Sequence, residues 1–157
     1  MSEFISPDDL RYGDRARALV RIGRDAIAIA DDAALDAYFS KDFAFHGPDG
    51  DFTFPELRSF FAAMRSAFTD FSCERSEIIV QGDLAAARTT MSGVFEHEFL
   101  ASPVGAIQPN GATMTLNLIN LFRYDSEGRL AEEWAQYDNM GFLRQLGVEM
   151  KASTPGD

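Results

Sequence analysis

Thr53–Gln81 reads TFPELRSFFAAMRSAFTDFSCERSEIIVQ, and within these residues the chain passes from a helical to an extended period. Thr53 followed three residues later by Glu56 is a capping-box pattern, and Pro55 is tolerated in a first helical turn. Leu57, Phe60, Phe61, Met64 and Phe68 then recur at spacings of three and four, the stripe of a helix that buries one face. After Asp70 that spacing stops. Strands are expected at about 71–81, 83–98, 112–125 and 129–138, joined by Gln81-Gly82-Asp83, a longer loop at 99–111 and Asp125-Ser126-Glu127-Gly128. Short turns of this kind join antiparallel neighbours.

Upstream, Ala16, Leu19, Val20, Gly23, Ala26, Ile27 and Ala30 predict an amphipathic helix from about Asp14 to Ala30. Gly23 in its middle costs roughly 1 kcal/mol against Ala, which suggests close approach of another backbone. Asp31 and Asp32 offer caps for a short second helix through Leu35, Tyr38 and Phe39. Downstream, Asn139 can cap a last short helix with Met140, Leu143 and Leu146 on one face. Residues 1–12 and 148–157 read as loose termini around a core of about 14–147, so residues 1–157 form one domain. Helices first and then a run of strands predict an α+β fold, a curved antiparallel sheet packed against N-terminal helices. Such a cone has a closed apolar end, an open mouth and an internal cavity.

The chain's 157 residues suffice for one sizeable core, and 46% hydrophobic with 25% charged residues is an ordinary globular composition. A net charge of −11, with Lys41 and Lys151 the only lysines, makes nucleic acid and anionic membranes poor partners. The start, Met-Ser-Glu-Phe-Ile-Ser-Pro, is unlike a signal peptide, and no run of about 18 apolar residues occurs, so a cytoplasmic location is expected. His46, His97 and Cys73 show no metal-ligand spacing, and no phosphate-binding Gly loop is present, so neither a metal nor another cofactor is indicated. Fourteen Phe residues favour an aromatic core and suit a cavity for a hydrophobic small molecule.

The candidate chemistry lies in the last strand segment. A period of two from Leu130 puts Leu130, Glu132, Trp134, Gln136 and Asp138 on one face, an apolar wall ending in polar groups. Ala131, Glu133, Ala135 and Tyr137 then lie opposite, where packing is the expected use. Asp138, if buried beside Trp134, would hold a proton at neutral pH and act as acid or base; the same residue type can instead cap the following helix. His46 can serve as a second acid or as a hydrogen-bond donor. Asn120 and Arg88, polar within apolar strands, are candidate substrate contacts with Trp134, Gln136 and Glu132, while Arg88 can equally form an ion pair that only stabilises the fold.

Several segments together resemble one family. They are Phe43-Ala44-Phe45-His46-Gly47-Pro48, Phe54 to Phe61, Ala86 to Gly93, Asn120 to Tyr124, and Glu132-Glu133-Trp134 through Asp138 to Gly147. In order and spacing they resemble the SnoaL-like polyketide cyclases of the nuclear transport factor 2-like superfamily, which implies a cystatin-like roll over about Ala34–Gly147. The resemblance implies an acid/base Asp after the Trp-containing strand, here Asp138. Of the Arg and Asp that related limonene-type epoxide hydrolases carry two residues apart on the long strand, Arg88 matches the Arg and Thr90 stands where the Asp would be. It also implies homodimerisation through the sheet. The expected function is cofactor-independent cyclase, isomerase or dehydratase chemistry on a hydrophobic carbonyl compound. The alternative is a non-catalytic domain of the same fold that binds a small molecule or a protein partner.

Overall fold

The computed structural model describes residues 3–156. The first helix, α1 (Asp14–Arg21), buries Ala16, Leu19 and Val20, as its spacing predicts. It then widens into a π-helical turn, Ile22–Ile27, in which the Ala28 N–H reaches back five residues to the Gly23 carbonyl. The added residue per turn lets Ile22, Gly23, Ala26 and Ile27 all face inward. A Cβ on Gly23 would stand 3.0 Å from the Cys73 carbonyl oxygen, so this glycine does mark a close backbone approach.

Helix α2 (Asp32–Tyr38) starts at Asp31, whose carboxylate accepts the Ala34 N–H. Helix α3 (Phe54–Ala67) starts at Thr53, whose hydroxyl accepts the Glu56 N–H, and buries Leu57, Phe61 and Met64. The predicted cap is present, and the stripe holds as far as Met64, whereas Phe68 already takes extended backbone as the first residue of the next strand.

Six strands form one sheet among the described residues: β1 (Phe39–Gly47), β2 (Gly50–Thr53), β3 (Phe68–Gln81), β4 (Leu84–Phe95), β5 (Thr113–Tyr124) and β6 (Leu130–Tyr137). Their order is β2-β1-β6-β5-β4-β3, antiparallel except where β1 lies parallel to β6. The four expected strands are β3 to β6. The hairpin β1–β2 is additional, built on Phe39, Phe43, Phe45 and Phe52, whose rings stack or meet edge to face. The sheet is curved and unclosed, with α1, the π-helical turn and α3 against its inner face and a short helix α4 (Asn139–Gln145) after β6. This is the expected α+β architecture.

The N-terminal arm differs from expectation over its described residues. Ile5 is buried, its N–H donates 2.7 Å to the Arg75 carbonyl, and Arg21 holds the Pro7 carbonyl at 3.0 Å. An apolar residue five from the start is enough to dock this segment. Residues 1 and 2 lie outside the described residues. At the other end Val148 still packs on the core, and 149–156 are exposed.

Candidate active site in the cone

Strand alternation sends one row of side chains from each strand into the cone. From β3 these are Phe71, Cys73 and Arg75; from β4, Ala87, Thr89 and Met91; from β5, Leu116, Leu118 and Asn120. In β6 the phase changes. Tyr124 pairs with Leu130 but Arg123 pairs with Glu132, so one extra residue sits in β6 at this point. A one-residue bulge moves every later side chain to the other face. Leu130 points inward as predicted, and beyond the bulge Glu133, Ala135 and Tyr137 do so instead of Glu132, Trp134 and Gln136. The expected wall is therefore corrected: the face of β6 reserved for packing lines the cavity.

The cavity has about 40 Å³ of free space. One water needs roughly 10–15 Å³ by the same measure, so it admits the end of a small molecule. Its lining includes the aromatic rings of Phe45, Phe52, Phe60 and Tyr137 together with Cys73, Arg75, Asn120 and Glu133. Arg75, Asn120 and Glu133 belong to one chain of hydrogen bonds that runs through Thr89. Arg75 Nη1 donates to Thr89 Oγ1, Thr89 Oγ1 donates to Asn120 Oδ1 at 2.6 Å, and Asn120 Nδ2 donates to Glu133 Oε2 at 3.0 Å. All four residues are buried. The guanidinium also lies 5.3 Å from the Phe122 ring centroid.

Burial pushes the Glu133 carboxyl up from 4.5 to about 7, against the opposing pull of the Arg75 charge and the Asn120 hydrogen bond. The other titratable walls stay protonated at neutral pH: burial raises the Cys73 thiol and takes the Tyr137 phenol to about 12. Glu133 is thus the group placed to exchange a proton near neutrality.

Of the residues nominated from sequence, Asn120 lines the cavity. Asp138 does not. It is exposed and accepts the Gly141 N–H at 2.8 Å as the N-cap of α4, the capping geometry its residue type also allowed. Arg88 lies on the outer face of the sheet in an ion pair with Glu77 at 2.9 Å rather than with Glu132 or Asp138. Gln136 is exposed on that face too.

His46, Glu132 and Trp134 do meet, but outside the cone. His46 Nδ1 lies 2.8 Å from Asp51 Oδ1 and Nε2 lies 2.7 Å from Glu132 Oε2, with the imidazole stacked on the Trp134 indole. Both ring nitrogens face carboxylate oxygens, an arrangement that favours the doubly protonated imidazolium. Asp51 and then Glu132 raise its pKa above the ordinary value. Hydrogen bonds from His46 and then Arg123 hold the Glu132 carboxyl below its own. This clasp ties β2, β1 and β6 together on the face away from the cavity.

Arg75, Thr89 and Glu133 were not singled out from the sequence. Arg75 and Thr89 carry a visible signal, since each interrupts an inward row of apolar residues, Phe71-Cys73-Arg75 and Ala85-Ala87-Thr89-Met91. Glu133 carries none, because its place depends on the bulge.

A family model described as SnoaL-like polyketide cyclase matches residues 17–146. Among solved structures the chain is similar to IdmH from Streptomyces antibioticus, named a polyketide cyclase, with 23% identity, TM-score 0.70 and coverage of 87% of this chain and 100% of that one. AclR from Streptomyces galilaeus, named a hydroxylase, gives 21% identity and TM-score 0.70 over 85% of this chain and 96% of that one. A protein with a ketosteroid isomerase-like fold from Catenulispora acidiphila gives 13% identity and TM-score 0.63 over 92% and 96%. At these identities the likeness establishes the fold. No curated protein sequence matches the chain. Among the described residues, no helix is long and apolar enough to cross a membrane.

Proposed function

We propose that this chain, which belongs to the SnoaL-like polyketide cyclase family, is a cofactor-independent acid–base enzyme of the cyclase, isomerase or dehydratase kind, acting on an apolar carbonyl compound held in the cone. The observation that carries this reading is the buried Glu133 carboxyl on the cavity wall, with its pKa at about 7. As the carboxylate, Glu133 takes a proton from a carbon beside the carbonyl. The electron pair moves to the carbonyl oxygen as an enolate, whose charge the buried Arg75 guanidinium favours. Glu133, now protonated, returns the proton to another carbon or to a leaving oxygen. Asn120 and Thr89 keep the carboxyl and the guanidinium in place. Proton transfer of this kind is worth roughly 10²- to 10⁴-fold in rate.

The reading assigns proton transfer to Glu133 and leaves Asp138 as a helix cap. Deuterium exchange at the α-carbon of phenylacetone, followed by NMR, tests both assignments. The natural chain and Asp138→Asn are expected to accelerate exchange alike, and Glu133→Gln to lose about 10²-fold or more. If Glu133→Gln exchanges as fast as the natural chain, or if Asp138→Asn is the variant that fails, the assignment falls.

We also infer that the outer face of the sheet pairs with a second copy of the chain. Ile79, Ile119 and Leu121 are 71%, 57% and 40% exposed there, beside Trp134. The same face carries Arg88 and Arg123 with Glu77 and Glu132, a mixture of signs that can complement a rotated copy of itself. Ile119→Glu is expected to turn a dimer into a monomer by analytical ultracentrifugation. A natural chain that sediments as a monomer would remove the inference.

A further inference from the structure

Arg75 is a buried cation whose electrostatic partners are incomplete. Among the described residues none makes an ion pair with it, its one side-chain hydrogen bond goes to the Thr89 hydroxyl, and its Nε–H is buried with no acceptor. The groups that sense its charge are Glu74 on β3, which lies 3.6 Å from Arg24, the thiol of Cys73, the phenols of Tyr38 on α2 and Tyr124 on β5, and Glu133 on β6. Burial raises the pKa of Glu74, Cys73, Tyr38, Tyr124 and Glu133, which favours the uncharged form of each acid. A buried cation without a paired anion is among the more costly arrangements a core can hold. Here it stands on the wall of a cavity whose other walls are largely aromatic and aliphatic.

We infer that the ligand of this cavity is an acid: an apolar molecule whose ionised oxygen, carboxylate or enolate, rests against the Arg75 guanidinium while Glu133 carries a proton. The inference rests on the reading of the cone as the ligand site and adds the charge of what enters it. The anion completes the partners of Arg75, and the protonated Glu133 removes the repulsion that two adjacent anions would create. The aromatic rings of Phe45, Phe52, Phe60 and Tyr137 receive the apolar body. Ligand binding and proton uptake by Glu133 are therefore one event, and affinity for an anion falls as pH rises through the titration of Glu133.

Isothermal titration calorimetry with phenylacetate and its neutral isostere phenylacetamide tests this. At about pH 6 the natural chain is expected to bind phenylacetate at least roughly tenfold more tightly than the amide, and to lose about tenfold of that affinity by about pH 8. Glu133→Gln is expected to keep the preference for the acid and to show the same affinity at both pH values. Equal affinity for acid and amide, absence of binding by both, or a Glu133→Gln variant that still loses affinity on going to high pH would each overturn the proposal. The comparison within the natural chain does not depend on whether an Arg75 variant folds. The two readings fail separately: acid preference without α-proton exchange removes the catalytic role of Glu133 and keeps the anion site, whereas exchange with equal affinity for acid and amide does the reverse.

Discussion

At about pH 8 the Glu133→Gln variant is expected to be more stable than the natural chain by roughly 3 kcal/mol, and the difference is expected to vanish at about pH 4. The sign follows from the direction of the shift. The Glu133 carboxyl ionises at about 7 in the fold, against an ordinary value of 4.5, because burial penalises its charge. The folded chain therefore holds the proton where the unfolded chain has released it. The stability contributed by that proton is fully present below about pH 4.5 and is lost as pH rises through about 7. At about 1.4 kcal/mol per pH unit, the interval corresponds to roughly 3 kcal/mol. A glutamine in the same place has no proton to lose, and its side-chain oxygen can accept the Asn120 N–H that Glu133 now accepts. Urea unfolding of the two proteins at both pH values reads the effect directly. Parallel stabilities across that range would mean that Glu133 ionises as freely in the fold as in solution, and the acid–base role would lose its basis. A site residue whose removal stabilises the fold is the usual mark of a group kept for chemistry at the expense of stability.

That same residue shows where the sequence stops being informative. The cap at Thr53, the helical stripe from Leu57 to Met64 and the strand period after Asp70 are local, and the structure contains each of them. The cone follows from them, because helices with one apolar face need a sheet to cover it. Asn120 is legible for a similar reason, as a polar group in the apolar row Leu116-Leu118-Asn120-Phe122. The inward face of β6 is not legible. Both of its phases carry apolar residues and a glutamate, and the choice between them is made by one extra residue after Leu130, which only the pairing with β5 reveals. Trp134 and Asp138 have residue types that suit a catalytic wall, yet the bulge turns Trp134 outward and the start of α4 takes Asp138 as its cap. The hairpin β1–β2 was hidden by its shortness: β2 has four residues, too few for a period to register.

Gly93→Ala is expected to destabilise the fold by about 1–3 kcal/mol, toward the upper end of that range. In β3 the residues Asp70 and Phe71 stand opposite the single residue Gly93, since Thr69 pairs with Val94 and Ser72 with Ser92. Asp70 takes a positive φ of 55° there. The bulge fills the space above Gly93, so a methyl group would stand 2.7 Å from Phe68 Cβ, 3.1 Å from the Thr69 carbonyl oxygen and 3.4 Å from Phe71 Cα. None of these atoms is the end of a flexible side chain, so β3 itself has to move. Phe68 and Phe95 would move with it, and both are fully buried with ring centroids 5.2 Å apart. A chain of this size loses roughly 2–4 °C in Tm per kcal/mol, so the effect is readily measured by calorimetry. Ser92→Ala is the control: it deletes one partly buried hydrogen bond, to the Met114 carbonyl, and adds no atom above the bulge. The consequence reaches the site, because the bulge sets the phase in which Cys73 and Arg75 point into the cone. Gly93→Ala should therefore also weaken phenylacetate binding in the fraction that remains folded, whereas Ser92→Ala should not. A Gly93→Ala protein with unchanged Tm would mean that β3 accommodates the methyl group and that the bulge is not what orients Arg75.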